Sequence, residues 1–323
     1  MTLAWLFPGQ GSQSVGMAKD VLAASAAARD VFERADKALS ETATAPQPLS
    51  RLILEGPEEV LMLTANAQPA LVATSCALLA ALRERAPDLP PPVLTAGHSL
   101  GEYTALVAAG ALSLEDAVRL VHIRGRAMQD AVPPGVGAMS AVMGVAADRL
   151  AALCDQAAEG EIVAPANFNA AGQIVVAGHA GAVARLGALA SAEKGARVIA
   201  LKVSAPFHCG LMAPAAGVVA SELERVDLRA PSIPVVANVD AAPNSEAARA
   251  KELLIRQIDG PVRWEETVRF LASSGVTHAL EIGPGKVLAG LVKRIAKDIK
   301  VLSVGDCASI DAAQAFVADA CQT

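Results

Sequence analysis

Short apolar runs alternate along this chain with long Ala- and Leu-rich stretches of helical character, and that alternation is the feature that most narrows the choice of fold. It is the pattern of an α/β protein built around a mainly parallel sheet, in which strands buried on both faces need no polar alternation. Leu3–Phe7, Val93–Ala96, Ile233–Ala237 and His278–Ile282 read as strands. Between them the apolar spacing predicts helices over about Gln68–Arg85, Leu100–Ala109 and Leu114–Ala131, the last with Ser113 as N-cap and Asp116 in its first turn. These helices would cover the faces of the sheet.

A second rhythm begins after Pro133-Pro134-Gly135. Strand Ala138–Val145, helix Ala146–Ala158, strand Ile162–Phe168, a turn at Asn169-Ala170-Ala171-Gly172, strand Gln173–Ala177, helix Gly181–Lys194 and strand Ala196–Val203 follow in order. This βαββαβ series is the ferredoxin-like arrangement. The expected organisation is a large α/β domain of residues 1–130 and 204–323, hydrolase-like in its sheet, with a small ferredoxin-like domain of residues 131–203 inserted into it.

Composition excludes several classes. Hydrophobic residues make up 53% and charged residues 19%, enough for a large core and far from a disordered composition. No uninterrupted apolar run reaches the roughly 18 residues of a membrane span, so no membrane association is expected. A net charge of -6, with only two Trp, one Tyr and six Phe, supplies neither a basic phosphate footprint nor stacking platforms for nucleic acid. Met1-Thr2-Leu3-Ala4-Trp5-Leu6-Phe7 lacks the basic start and apolar length of a secretory signal. Cys76, Cys154, Cys209, Cys307 and Cys321 are scattered, odd in number and never in CxxC spacing, which points to a reducing cytoplasm rather than a disulfide framework. No metal and no cofactor are expected.

Gly97-His98-Ser99-Leu100-Gly101 follows a predicted strand and opens a predicted helix, the context of a nucleophile elbow. Its glycines allow the sharp turn that lifts the Ser99 hydroxyl, and the helix start beneath offers N–H groups to an oxyanion. The alternative is a Gly-rich helix start capped by a serine. A nucleophilic serine needs a base. His98 adjoins Ser99 but points away from it in a sharp turn, which suits a supporting position, while His122, His179 and His278 fit hydrogen-bonded structural roles. His208 lies where the chain returns from the small domain across the expected cleft, a preferred place for a ligand site, and is an even choice as base on these grounds alone.

Phe7-Pro8-Gly9-Gln10-Gly11-Ser12-Gln13, Gly97-His98-Ser99-Leu100-Gly101-Glu102-Tyr103, Arg124-Gly125, Ala205-Pro206-Phe207-His208 and Gln257 with Pro261-Val262-Arg263-Trp264 occur in that order. The ordered set resembles the malonyl-CoA:acyl carrier protein transacylases, the acyltransferase family of fatty acid and polyketide synthesis, over nearly the whole chain. The resemblance implies Ser99 as the malonylated nucleophile, His208 as the base, and the backbone amides of Gln10 and Leu100 as the oxyanion hole. It implies Arg124 as partner of the malonyl carboxylate, which suits a planar guanidinium that donates two parallel hydrogen bonds. Arg119 and Arg126 would face elsewhere. Gln257 would stand beside the histidine where hydrolase triads place an acid, giving a supported Ser-His dyad. Asn169 would line the cleft, a turn-forming asparagine being the alternative, and Phe207 would limit room for an α-methyl group.

The implied partners are malonyl-CoA and a holo acyl carrier protein acting in trans on a monomer, with Lys202, Arg263 and Lys286 as candidates for a basic docking patch. Two rival readings are a serine hydrolase or thioesterase, with Asp240 or Asp259 supporting the base, and a non-catalytic carrier-docking subunit. Gly283-Pro284-Gly285-Lys286 meets no phosphate-loop pattern and reads as a helix start, with pantetheine or phosphate nearby as the lesser alternative.

Overall fold

A computed structural model describes residues 2–41, 47–201 and 203–322, and the side chains of residues 319–322 are outside the description. Lys202 therefore lies outside the described residues, as does the side chain of Cys321.

Among the described residues, ten strands form two sheets: β1 Leu3–Phe7, β2 Leu94–Gly97, β3 Gly137–Met143, β4 Val163–Ala170, β5 Gln173–His179, β6 Arg197–Ala200, β7 Val235–Val236, β8 Pro243–Asn244, β9 His278–Ile282 and β10 Lys300–Val304. The larger sheet has the order β10-β9-β1-β2-β7-β8. It is parallel except where β8 returns antiparallel to β7. Every residue of β1 and β9 is buried, as a sheet covered by helices on both faces requires. The expected strand Ile233–Ala237 shrinks to two residues. Pro234 has no N–H to donate, and Ala237 turns to bond Ala242 O instead.

The Thr64–Arg85 helix starts four residues before its predicted beginning and runs through the core. By length and mean hydropathy it could cross a membrane, although polar residues interrupt its apolar run, and 89% of its apolar window is buried inside the fold. The Leu114–Asp130 helix is capped as expected, Ser113 Oγ accepting from Asp116 N at 3.0 Å.

The smaller sheet is antiparallel with the order β4-β5-β3-β6, and the helices Ala147–Ala158 and Ala180–Ser191 complete the βαββαβ series. It is fastened over the larger sheet by its edge. Phe168 N donates to Val262 O and Val262 N to Ala166 O, both at 2.8 Å. Asn169 is on β4 rather than in the turn, which is confined to Ala171 and Gly172.

Candidate active site

The site sits at the C-terminal ends of β1 and β2, where loops from parallel strands diverge. Two glycines bring these strands' ends together. A Cβ on Gly97 would lie 1.9 Å from the Gly101 carbonyl carbon, and one on Gly101 would lie 2.1 Å from Phe7 O. Only glycine admits that approach, so the elbow sequence is dictated by backbone contact.

Ser99 itself is left-handed, with φ 49°, and His208 is too, with φ 60°. Such backbone costs on the order of 1–3 kcal/mol per residue and persists where surrounding bonds over-determine it. For Ser99 the constraint is Asn238, fully buried, whose Oδ1 accepts from Ser99 N at 2.6 Å while its Nδ2 donates to Gly97 O at 2.7 Å. We expect Asn238→Ala to lower unfolding stability by about 2 kcal/mol in chemical denaturation, because two buried backbone groups lose their partner.

Ser99 Oγ lies 2.7 Å from His208 Nε2 and accepts from Arg124 Nη2 at 3.2 Å. His208 Nδ1 donates to the backbone carbonyl of Gln257 at 2.8 Å. That bond places the ring proton on Nδ1 and leaves Nε2 as the acceptor for the serine proton. The Gln257 main chain, not its side-chain amide, orients the imidazole. The amide instead accepts from Arg124 Nη2 at 2.9 Å and donates to Ser99 O at 2.9 Å and to Glu102 Oε2 at 2.8 Å.

Burial, with the Arg124 charge second, depresses His208 to about 3. The imidazole is neutral at physiological pH and ready to accept a proton. Because the active form is the neutral one, lowering its pKa extends activity to acid. Rates of acyl transfer should hold level from about pH 6.5 to about pH 5 instead of halving near 6.5, the ordinary histidine value, in a stopped-flow pH profile.

Arg124 is 2% exposed. Its Nη1 donates to Gln68 Oε1 at 2.8 Å, its guanidinium lies 5.4 Å from the Tyr103 ring centroid, and its Nε has no acceptor among the described residues. Burial pulls its pKa below the usual value against the opposing pull of Tyr103 and Glu102, yet a guanidinium stays charged at neutral pH. Its hydrogen-bond partners among the described residues are two neutral amides and the serine hydroxyl, so the centre presents a desolvated cation facing the nucleophile. Such a charge costs several kcal/mol to bury unless an anion pairs with it.

The other predicted positions gather around these three. His98 Nε2 meets Asn169 Oδ1 at 2.8 Å, linking the elbow to β4 of the small sheet, and burial lowers the His98 pKa. Gln10 Nε2 donates to Thr64 Oγ1, which lies 2.8 Å from Ser204 Oγ. The backbone N–H groups of Gln10 and Leu100 have no protein acceptor among the described residues. Gln10, Leu100, Phe207 and Asn169 all line the cleft, about 470 Å³ in volume, that opens above Ser99.

Several expectations are redirected. Asp240 accepts from Arg249 Nη2 at 2.9 Å, and since Gln257 O holds His208 Nδ1, neither Asp240 nor Asp259 takes the triad position. Arg263 is paired with Glu266, which removes it from a free basic patch, and Lys286 is exposed. Arg119 pairs with Asp116 and Glu41, and Arg126 is exposed. His122 Nδ1 bonds Ala65 O, His179 Nδ1 accepts from Ile162 N, and His278 Nδ1 meets Thr277 Oγ1, all away from Ser99. After Gly283-Pro284-Gly285 the Val287–Ile295 helix begins, but Glu281 carboxylate oxygens occupy its Leu288 and Ala289 amides, leaving those donors unavailable to phosphate. The described cysteines are free, and among the described residues no His, Cys, Asp and Glu group could hold a metal.

Gln68, Glu102 and Asn238 were missed as site residues. Gln68 and Glu102 left a signal, a polar or charged side chain inside an otherwise apolar helix; Asn238 left none.

Comparison with known proteins agrees with this architecture. Residues 4–315 match the acyl transferase domain family. The chain is 45% identical over 310 residues to the malonyl CoA-acyl carrier protein transacylase of Salmonella typhimurium, covering 96% of this chain and 98% of that one. It is 47% identical over 312 residues to the Bacillus subtilis transacylase, covering 96% of each. The acyl-carrier-protein S-malonyltransferase structure from Bartonella henselae superposes with a TM-score of 0.92 at 46% identity, over 98% of this chain and 100% of that one. A malonyl-transacylase solved in complex with a type II polyketide synthase acyl-carrier protein superposes with a TM-score of 0.92 at 44% identity, over 97% and 99% of the two chains. With its elbow, paired histidine and buried arginine in one cleft, the chain belongs to the acyl transferase family, in the group of the malonyl CoA-acyl carrier protein transacylases.

Proposed function

We propose that this protein transfers a malonyl group from malonyl-CoA to the phosphopantetheine thiol of a holo acyl carrier protein through a malonyl-Ser99 intermediate. The observation that carries the reading is the convergence on Ser99 Oγ of a neutral imidazole at 2.7 Å and a buried guanidinium at 3.2 Å. His208 Nε2 takes the hydroxyl proton as Oγ attacks the thioester carbon. The oxyanion rests on the Gln10 and Leu100 amides, each worth on the order of 3 kcal/mol. Collapse breaks the C–S bond, and His208 returns the proton to the departing CoA thiolate. The carrier thiol then gives its proton to His208 and attacks the acyl carbon of the serine ester; collapse breaks the Oγ–C bond, and His208 returns the proton to Ser99 Oγ.

Arg124 favours an acyl group that ends in a carboxylate, which acetyl thioesters lack. A hydrolase would gain nothing from that cation, and a docking subunit would not need all three of Ser99, His208 and Arg124. Intact mass spectrometry after mixing with malonyl-CoA and acetyl-CoA in competition, followed by peptide mapping, tests the reading. A malonyl adduct on the Ser99 peptide is expected; an acetyl adduct in equal yield, or none at Ser99, overturns it.

Phe207 lines the same cleft beside His208 and restricts space next to the acyl α-carbon. Phe207→Ser should raise the methylmalonyl-to-malonyl ratio of kcat/KM roughly tenfold, the scale of one methyl group in a pocket. We further propose a cytoplasmic monomer, testable by sedimentation velocity, whose residues 131–203 form a domain inserted between 1–130 and 204–323. The fatty acid and polyketide pathways call for the same chemistry.

A further inference from the structure

We propose that Glu102 is the proton-linked counter-charge of Arg124, ionised in the free enzyme and protonated from solvent when the malonyl carboxylate docks on the guanidinium. The inference rests on the malonyl reading above and deepens it. Arg124 and Glu102 are 2% and 3% exposed, and the Gln257 amide bridges them, with Oε1 toward the guanidinium and Nε2 toward the carboxylate. Cation, amide dipole and anion are thus aligned, and the free site holds one positive and one negative charge. A docked malonyl group adds a second carboxylate to the same desolvated centre. One proton restores neutrality there at the lowest electrostatic cost.

The carboxyl group is arranged to receive that proton. Both of its donors, Asn238 N at 3.0 Å and Gln257 Nε2 at 2.8 Å, end on Oε2. Oε1 has no protein donor among the described residues, so it can carry hydrogen while Oε2 keeps accepting as a carbonyl. Burial raises Glu102 to about 7, opposed by Asn238, Gln257 and Arg124 and reinforced by Asp240. The neighbouring Tyr103 is pushed up to about 12 and stays neutral. A new anion on Arg124 cancels its opposing pull and lifts Glu102 further, so uptake falls at and above neutral pH.

The test is calorimetry on Ser99→Ala protein, which binds without turnover, titrated with malonyl-CoA in buffers of different ionisation enthalpy at about pH 8. Acetyl-CoA provides the baseline, since it shares the titrating phosphates of CoA. Malonyl-CoA should take up to about one more proton than acetyl-CoA, and its affinity should fall by up to about tenfold per pH unit above neutrality. Adding Glu102→Gln should abolish both effects; adding His208→Ala should leave them. Uptake that disappears with His208→Ala assigns the proton to the imidazole and overturns the proposal. Should the Glu102→Gln protein fail to fold, the comparison with and without His208 still decides. Binding that depends on Arg124 yet takes up no proton also overturns it, whereas binding indifferent to Arg124→Ala sinks the malonyl reading itself.

Discussion

Alanine in place of Arg124 is expected to cut kcat/KM for malonyl-CoA by roughly 100- to 1,000-fold while leaving the slow reaction with acetyl-CoA unchanged or faster. The magnitude follows from truncating one partner of a buried, hydrogen-bonded charge pair, which costs about 3–5 kcal/mol. The direction for acetyl-CoA follows from geometry. In the free enzyme Arg124 Nη2 donates to Ser99 Oγ at 3.2 Å, and its charge is the second cause of the depressed His208 pKa. Removing the cation makes both the hydroxyl and the imidazole more basic. Steady-state kinetics with each thioester checks the result, and an equal loss for both substrates would show that Arg124 acts on the elbow rather than on the carboxylate. Arg124→Lys should recover little, because an ammonium cannot reach Gln68, Gln257 and an incoming carboxylate in one plane.

Ser99→Ala is expected to abolish the covalent adduct and to lower transfer by on the order of 10⁴-fold or more, the loss typical of removing a nucleophile held against its base. Malonyl-CoA binding should survive, since Arg124 keeps its bonds to Gln68 and Gln257. Radiolabelled malonyl-CoA and precipitation of the protein provide the measurement. A stable malonyl-enzyme in the alanine variant would disprove the serine ester. Alanine keeps the Cβ that serine already carries at the left-handed position 99, so the replacement adds no backbone strain and the variant's unfolding midpoint should stay near that of the unsubstituted protein.

Much of the fold was legible because it is local. The Gly137–Ala200 region was read nearly element by element, since apolar periodicity of two or 3.6 residues marks a strand or helix without reference to the rest of the chain. β8 and β10 escaped. β8 is two residues long, and β10 is only partly buried apart from Val304, so neither carries a clear apolar signature. The site was legible in unequal parts. Ser99 announced itself through flanking glycines that a sharp turn demands, whereas Arg124 and His208 needed the ordered motifs to raise them above ordinary helical and loop residues. Gln257 was placed beside His208, but which of its atoms orients the ring was not legible, because sequence cannot distinguish a side-chain contact from a backbone one.

By itself the sequence determined the layered α/β architecture, the βαββαβ insertion and the elbow, all of which follow from periodicity and from where glycine alone fits. Only the tertiary structure decided that a carbonyl rather than an amide turns the imidazole. It alone showed that Asn238 clamps the elbow and that Arg124 is desolvated between two neutral amides with Glu102 behind them. These are distances between residues 25 to 158 positions apart in the chain. They arise when packing brings separate elements to one place, and the electrostatics of burial act on the assembled centre rather than on any segment of it.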